Sequence, residues 1–239
     1  MFQKEFLLET SDVDAFNDLK LSALFRLLQD VATEHAELGG IGQSVATQKD
    51  MFWVITRYAV DIVKMPKYMQ KVKVITYAGD DLKFLFPRYF RVEDEKGNVL
   101  VKASSTWVVL DRKTHKINMH PFDRSLPCEH YNDEEPLPER IIVNNPTFVE
   151  KRVIRYSDVD LNKHLNNTKY VEYIQDIHNL LFYEQNQIKH ITINYNKEGV
   201  CDQTVVIEKE TSSNKELVVG KIDNSEIFTA EIEYIKRIS

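Results

Sequence analysis

Apolar positions along the chain follow two periods. Leu24, Leu28 and Val31 recur at helical spacing and form one stripe. They predict a helix from about Ser22 to Glu37, with Ser22 as its N-cap and Gly39-Gly40 as its stop. A short strand is expected before it, near Phe2 to Leu8, and the loop from Gly39 to Lys49 reads as flexible in composition. The period then shortens. Phe52 to Val63 is almost continuously apolar, which suggests a strand covered on both faces. Lys71 to Tyr77 alternates valines with lysines, and Phe84 to Glu93 and Val99 to Leu110 flank a hairpin turn at Glu95-Lys96-Gly97-Asn98. One helix followed by long antiparallel strands is an α+β unit.

Residues 120 to about 147 interrupt this pattern. They hold five of the seven prolines (Pro121, Pro127, Pro136, Pro138 and Pro146) and an acidic cluster, Asp133-Glu134-Glu135. Such a stretch cannot lie inside a sheet and reads as a linker. Beyond it the pattern starts again. A strand is expected around Phe148 to Arg155, then a polar stretch, then a helix to about Tyr183 with Tyr170, Ile174, Ile177 and Leu181 on one face. Strands follow at Ile188 to Asn196, Thr204 to Lys209, Glu216 to Ile222 and Ile227 to Ile235.

The recurrence is a repeat. Residues 11–14 and 157–160 both read S-D-V-D, 146 positions apart. At that offset Leu19 falls on Leu165, Leu24 on Tyr170, Leu28 on Ile174, and Gln29-Asp30-Val31 on Gln175-Asp176-Ile177. Matching Gln70-Lys71-Val72 to Gln203-Thr204-Val205 gives an offset of 133, so 13 extra residues (146 minus 133) sit in the first copy after its helix. The expected division is 1–120, a linker at 121–147, and 148–239. Each unit leaves an apolar edge and helix face that a second copy would cover. The expected state is a monomer built as a pseudo-two-fold tandem, or a homodimer of such chains.

Composition narrows the function classes. The chain has 239 residues, 43% hydrophobic and 28% charged, as a globular protein does. A formal net charge of -6 gives no bulk support for binding nucleic acid or an anionic membrane. Two cysteines, Cys128 and Cys201, show no metal-ligand spacing, so neither a metal nor a cofactor is expected. The N-terminus does not read as a signal peptide and no stretch is long and apolar enough to span a bilayer, so a cytoplasmic setting is expected.

Candidate chemistry lies in Tyr156 to Tyr170, Y-S-D-V-D-L-N-K-H-L-N-N-T-K-Y. Asp160, Asn162 and His164 alternate, so an extended chain would point all three the same way, just ahead of a helix. The first copy serves as a control: Asp14 matches Asp160, but Phe16 replaces Asn162 and Asp18 replaces His164. The polar set is complete only in the second copy, which favours function over scaffold. Glu198 lies past the strand at Ile188, and its counterpart at the second offset is Met65.

The run D-V-D-L-N-K-H-L-N-N-T-K-Y resembles the D-x-N-x-H-V-N-N-x-K-Y motif of acyl–acyl carrier protein thioesterases, a family with a double-hotdog fold. The resemblance covers nearly the whole chain. Arg88 to Ile117, with Trp107, looks like that family's first hairpin, and Phe52-Trp53-Val54 like its entry strand. It implies hydrolysis of fatty acyl-carrier thioesters, with Asp160, Asn162 and His164 catalytic. The family's acid follows its His by 34 residues, which lands on Glu198 (198 minus 164). One departure stands out. Plant members carry a Cys after that Glu, whereas here the position is Gly199 and Cys201 lies two residues on, so a Cys–His mechanism is disfavoured.

The residues then suggest roles. Glu198 and His164 would activate water, Asn162 would bind the thioester carbonyl or orient the nucleophile, Asp160 would fix the motif, and amides near Asn166-Asn167 would face the oxyanion. A nucleophilic Asp160 is the competing mechanism. The first copy would hold the acyl chain through Leu24, Leu28, Trp53 and Ile55. Arg152, Arg155, Lys163, Lys169, Lys189 and Lys197 surround the site in sequence and suit an acidic carrier protein. An acyl-CoA thioesterase and a non-catalytic acyl-binding protein remain open alternatives.

Overall fold

The computed structural model describes residues 1–122, 126–128, 135–212 and 215–237. The acidic pair Asp133-Glu134 lies outside them. The chain divides into two compact units, Met1–Pro138 and Glu139–Ser239.

Unit 1 runs β1 (Phe2–Leu7), α1 (Leu21–Leu38), α2 (Gln43–Gln48), β2 (Met51–Ile62), β3 (Lys71–Ala78), β4 (Phe86–Asp94) and β5 (Val99–Asp111). The strands pair antiparallel in the order β1-β3-β4-β5-β2. The wide apolar stripe of α1, with Leu24, Leu28 and Val31 at 0% exposure, is what buries the helix on this sheet. Ser22 is not its cap. The helix starts one residue earlier, after Lys20, whose amide is already held by the Asp12 carbonyl at 2.8 Å. The preceding turn fixes the entry, so no side-chain cap is needed.

The stretch Gly39 to Lys49 is not a flexible loop but holds α2. The Ser44 hydroxyl and amide bond the Glu37 carboxylate and hold it below the usual carboxylate range. The Trp53 indole donates to the Ile41 carbonyl at 2.7 Å. The proline-rich stretch is fastened too. Phe122 stacks on Trp53, Ser104 Oγ donates to the Pro136 carbonyl at 2.5 Å, and Arg57 reaches the Pro138 carbonyl at 3.3 Å. The Ser104 and Arg57 contacts lie on the outer face of β2 and β5, whereas Trp53 shares the other face with Ile55, so β2 is covered on both sides.

Unit 2 runs β6 (Thr147–Val153), α3 (Asn167–Gln175), α4 (Leu180–Gln185), β7 (Asn186–Tyr195), β8 (Thr204–Ser212), β9 (Lys215–Ile222) and β10 (Ser225–Lys236). Its strands are also antiparallel, in the order β7-β10-β9-β8-β6. The expected single helix to Tyr183 is broken. Tyr170 and Ile174 are buried on α3, but Leu181 is 64% exposed on α4. Two side chains impose the break. His178 Nε2 lies 2.6 Å from Glu216 Oε2 with its ring stacked on Phe182, and the Asn179 side chain accepts from the Phe182 amide to restart the helix.

No helix among the described residues is long and apolar enough to cross a membrane.

Candidate active site

The motif begins with one turn of 3-10 helix, Tyr156–Asp158, and then folds back in a tight turn rather than an extended strand. Lys163 sits at φ 65°, the left-handed region, and makes the reversal. The Asp160 amide donates to the His164 carbonyl at 2.8 Å, and the Lys163 amide to the Asp160 carbonyl at 3.0 Å. Asp160 Oδ1 accepts from the amides of Asn162 (2.8 Å) and His164 (3.2 Å). Its carboxylate therefore shapes the loop directly, as Asx turns do. Asn162 is exposed at the tip beside Leu161.

The loop then docks on the segment after β7. Leu165 donates to the Gly199 carbonyl at 2.8 Å, and His164 forms a bridge with Val200. These main-chain contacts carry Glu198 to the imidazole, placing His164 Nε2 3.2 Å from Glu198 Oε2 with both side chains partly exposed. The backbone at Gly199 passes close to Ile154, whose terminal Cδ1 methyl would lie 2.7 Å from a Cβ there. Cys201 is exposed.

Tyr170 is a member that pattern reading saw only as an apolar stripe position. It is 3% exposed, packs edge-on against Tyr195 and Phe228, and its hydroxyl donates to the Lys197 carbonyl at 3.3 Å. Burial raises its pKa well above the ordinary phenol range, and the Glu198 and Asp160 charges add to this. It stays protonated and ties the start of α3 to the segment bearing Glu198. The signal was a tyrosine in an otherwise aliphatic stripe. At the same helix start Asn166 caps with its side chain, accepting from the Thr168 amide at 3.0 Å. The amides of Asn166, Thr168 and Lys169 all donate within the chain, so of the expected oxyanion donors only Asn167 N–H makes no bond to a described residue.

Unit 1 repeats this loop bond for bond. Asp14 Oδ1 accepts from Phe16 (2.8 Å) and Asp18 (3.0 Å), Asn17 has φ 65°, and Leu19 donates to the Pro66 carbonyl at 2.8 Å. The contents differ. Asp18, in the place of His164, is 4% exposed and pairs with Lys67.

Of the expected acyl-contacting residues, Leu24 and Leu28 lie on the buried stripe of α1 and Ile55 is 4% exposed on β2. Trp53 packs between Phe86 and Phe122. The expected basic set is not uniform. Arg152 pairs with Glu150 and Asp176, both at 2.9 Å, and Lys169 with Glu172 at 2.7 Å. Lys197 bonds the Ser225 hydroxyl, while Arg155 and Lys163 are exposed. Among the described residues no cluster of His, Cys, Asp and Glu could hold a metal ion.

Both halves of the chain resemble known proteins. The family model described as the acyl-ACP thioesterase N-terminal domain matches residues 1–123, and that of the acyl-ACP thioesterase C-terminal domain matches residues 144–236. The chain is 26% identical to a chloroplastic palmitoyl-acyl carrier protein thioesterase of Arabidopsis thaliana, over 89% of this chain and 55% of that protein. It is 24% identical to a dodecanoyl-[acyl-carrier-protein] hydrolase of Cinnamomum camphora, over 100% of this chain and 69% of that protein. The chain thus spans about half the length of the first of these relatives. Its fold matches that of an acyl-ACP thioesterase from Bacteroides thetaiotaomicron with a TM-score of 0.87 at 25% identity, covering 98% of this chain and 97% of that one. The 12:0-ACP thioesterase of Umbellularia californica shares the fold at a TM-score of 0.82 and 20% identity, over 99% and 97% of the two chains.

Proposed function

The chain belongs to the acyl-ACP thioesterase family, a tandem of two hotdog units, and from that premise we propose that it hydrolyses the thioester of fatty acyl-acyl carrier protein, releasing a free fatty acid. The observation that carries this reading is the 3.2 Å contact between His164 and Glu198, made in unit 2 and replaced in unit 1 by a carboxylate–lysine pair.

The division into a linker and two functional halves is part of the proposal: unit 2 supplies the chemistry and unit 1 the acyl-chain contacts through Leu24, Leu28, Trp53 and Ile55. A water held beside the Glu198–His164 pair gives a proton to the Glu198 carboxylate as its oxygen attacks the thioester carbonyl. The imidazole orients that water. Asn162 and the Asn167 amide face the developing oxyanion. On collapse the C–S bond breaks and the proton passes to the departing thiolate, itself a good leaving group. Asp160 holds the loop in register. The exposed cations Arg155, Lys163 and Lys197 meet an acidic carrier, while Arg152 and Lys169 are already neutralised by their own carboxylates.

Thiol release from carrier-linked and CoA-linked acyl chains, wild type beside His164→Ala, tests the reading. Faster turnover of the carrier-linked series, lost in the variant, is the expected result. Preference for the CoA series would make the chain an acyl-CoA thioesterase, and binding without release would make it an acyl-binding protein.

A further inference from the structure

Two tyrosines packed together in unit 2 each bond the main chain of the other's segment. Tyr170, on α3, donates its hydroxyl to the carbonyl of Lys197, the residue before Glu198, at 3.3 Å. Tyr195, at the end of β7, donates its hydroxyl to the carbonyl of Asn167, the first residue of α3, at 3.4 Å. The two rings meet edge to face, 5.3 Å between centroids, and Phe228 of β10 closes on the Tyr170 ring at 5.5 Å. Burial pushes both phenol pKa values far above the ordinary range, so both stay donors at any working pH. On the far side of Glu198 the Gly199 amide faces the Tyr170 oxygen and pulls its pKa the other way.

The bridged positions flank the reacting pair. Asn167 lies three residues past His164 (167 minus 164), and Tyr195 lies three before Glu198 (198 minus 195). The two hydroxyls therefore span, from beneath, the same gap that the 3.2 Å contact of His164 and Glu198 closes. Unit 1 acts as the control. It docks its loop by the same main-chain bond, Leu19 to the Pro66 carbonyl, with Leu24 in the place of Tyr170 and Ile62 in the place of Tyr195 at the offsets of 146 and 133. Both are buried. An aliphatic pair thus suffices to pack the helix on the strand and dock the loop, whereas a buried phenol obliges its hydroxyl to find a partner. At 3.3 and 3.4 Å both bonds are long for hydroxyl donors and add little to stability. The hydroxyls occur in the copy that has Glu198 and are missing from the copy that has Met65.

We propose that Tyr170 and Tyr195 are positioning residues for the hydrolysis, a pair of crossed phenol braces that sets the spacing of Glu198 from His164. This rests on the reading of those two residues as the pair that activates water. The Glu198 side chain is 38% exposed, so packing does not aim it, and its direction comes from the backbone that the braces hold. The phenols act through that backbone and touch no reacting atom. Misplacing a reacting group by about 1 Å costs on the order of 10²-fold in rate, so a weak brace has a large lever.

Tyr170→Phe and Tyr195→Phe keep both rings and remove one hydroxyl each. Each should lower kcat for a carrier-linked acyl thioester by roughly tenfold, leave KM within about twofold, and move Tm by only a few degrees. A merely structural role would cost the same factor whatever stands at position 198. Tyr170→Phe is therefore repeated on Glu198→Gln, where it should lower the residual kcat no further. Unchanged kcat in both single variants, or an equal loss with and without Glu198, overturns the brace. Nitrogen NMR signals of the His164 ring give a reading apart from turnover: in both variants they should move from the wild-type positions toward those of Glu198→Gln. Ring signals that stay at the wild-type positions overturn the brace even where activity falls. Should the Glu198→Gln rate be too slow to measure, the ring signals decide. Should Tyr170→Phe fail to fold, Tyr195→Phe and its ring signals decide. Should wild type release no thiol from any acyl thioester, the hydrolase reading fails by itself, and the ring signals alone judge the brace.

Discussion

His164 and Glu198 stand 34 residues apart in the chain and 3.2 Å apart in the structure, brought together by the main-chain bond from Leu165 to the Gly199 carbonyl. In unit 1 the equivalent bond, Leu19 to the Pro66 carbonyl, brings no such pair together, because Met65 stands where Glu198 does.

His164→Ala should lower kcat by roughly 10²–10⁴-fold while leaving Tm nearly unchanged, since no main-chain bond of the loop depends on the imidazole. Steady-state rates beside a thermal melt check both halves. Near-normal turnover would remove His164 from the chemistry.

Asp160 shapes the loop through Oδ1, which is committed to two amides. Single turnover in labelled water should therefore place the label in the released fatty acid and none in the Asp160 carboxylate. Label recovered in Asp160 would establish the anhydride route instead. Asp160→Ala should destabilise the protein by about 1–3 kcal/mol by leaving those amides unpaired, whereas Asp160→Asn keeps an acceptor and should cost less.

Charge reversal at Lys163 and Lys197 should slow the carrier-linked reaction, chiefly through kcat/KM, and the loss should shrink as salt is raised. The CoA-linked reaction serves as the reference. A carrier reaction indifferent to both salt and these substitutions would place the carrier elsewhere.

Glu216 is 8% exposed, and burial acts to raise its pKa, but the His178 hydrogen bond and charge, together with Lys209, hold it below its ordinary value of 4.5. A depressed folded pKa means this stabilisation is full above about 4.5 and is lost as pH falls through the folded value. Glu216→Gln should lower stability at neutral pH by about 3 kcal/mol and flatten the acid side of the Tm–pH curve. Equal acid sensitivity in the two proteins would count against this.

The repeat was the most informative thing in the sequence. Its two offsets, 146 and 133, reappear in the bond pairs Val13–Leu19 and Val159–Leu165, and Leu8–Gln70 and Ile154–Gln203. Strand positions followed from alternation because each strand buries one face on its own helix. Tertiary bonds decided the rest. Ser22 looked like a cap because the turn bond that starts α1 comes from Asp12, out of reach of a local pattern. The second helix looked continuous because apolar spacing carries on past Gln175, while the break is set by Glu216, a partner 38 residues beyond His178. Asp160, Asn162 and His164 read as alternating because the left-handed residue that turns the chain is Lys163, not a glycine.

The two loops hold the same hydrogen bonds around different side chains, and this separates what folds the site from what the site does. Its shape is stored in Asp160, the left-handed turn and the docked main chain, all of which unit 1 keeps without Asn162, His164 or Glu198. Natural variation at those three positions can therefore retune or silence the reaction while the protein stays folded, and a sequence that has lost them will still register as a member of the family.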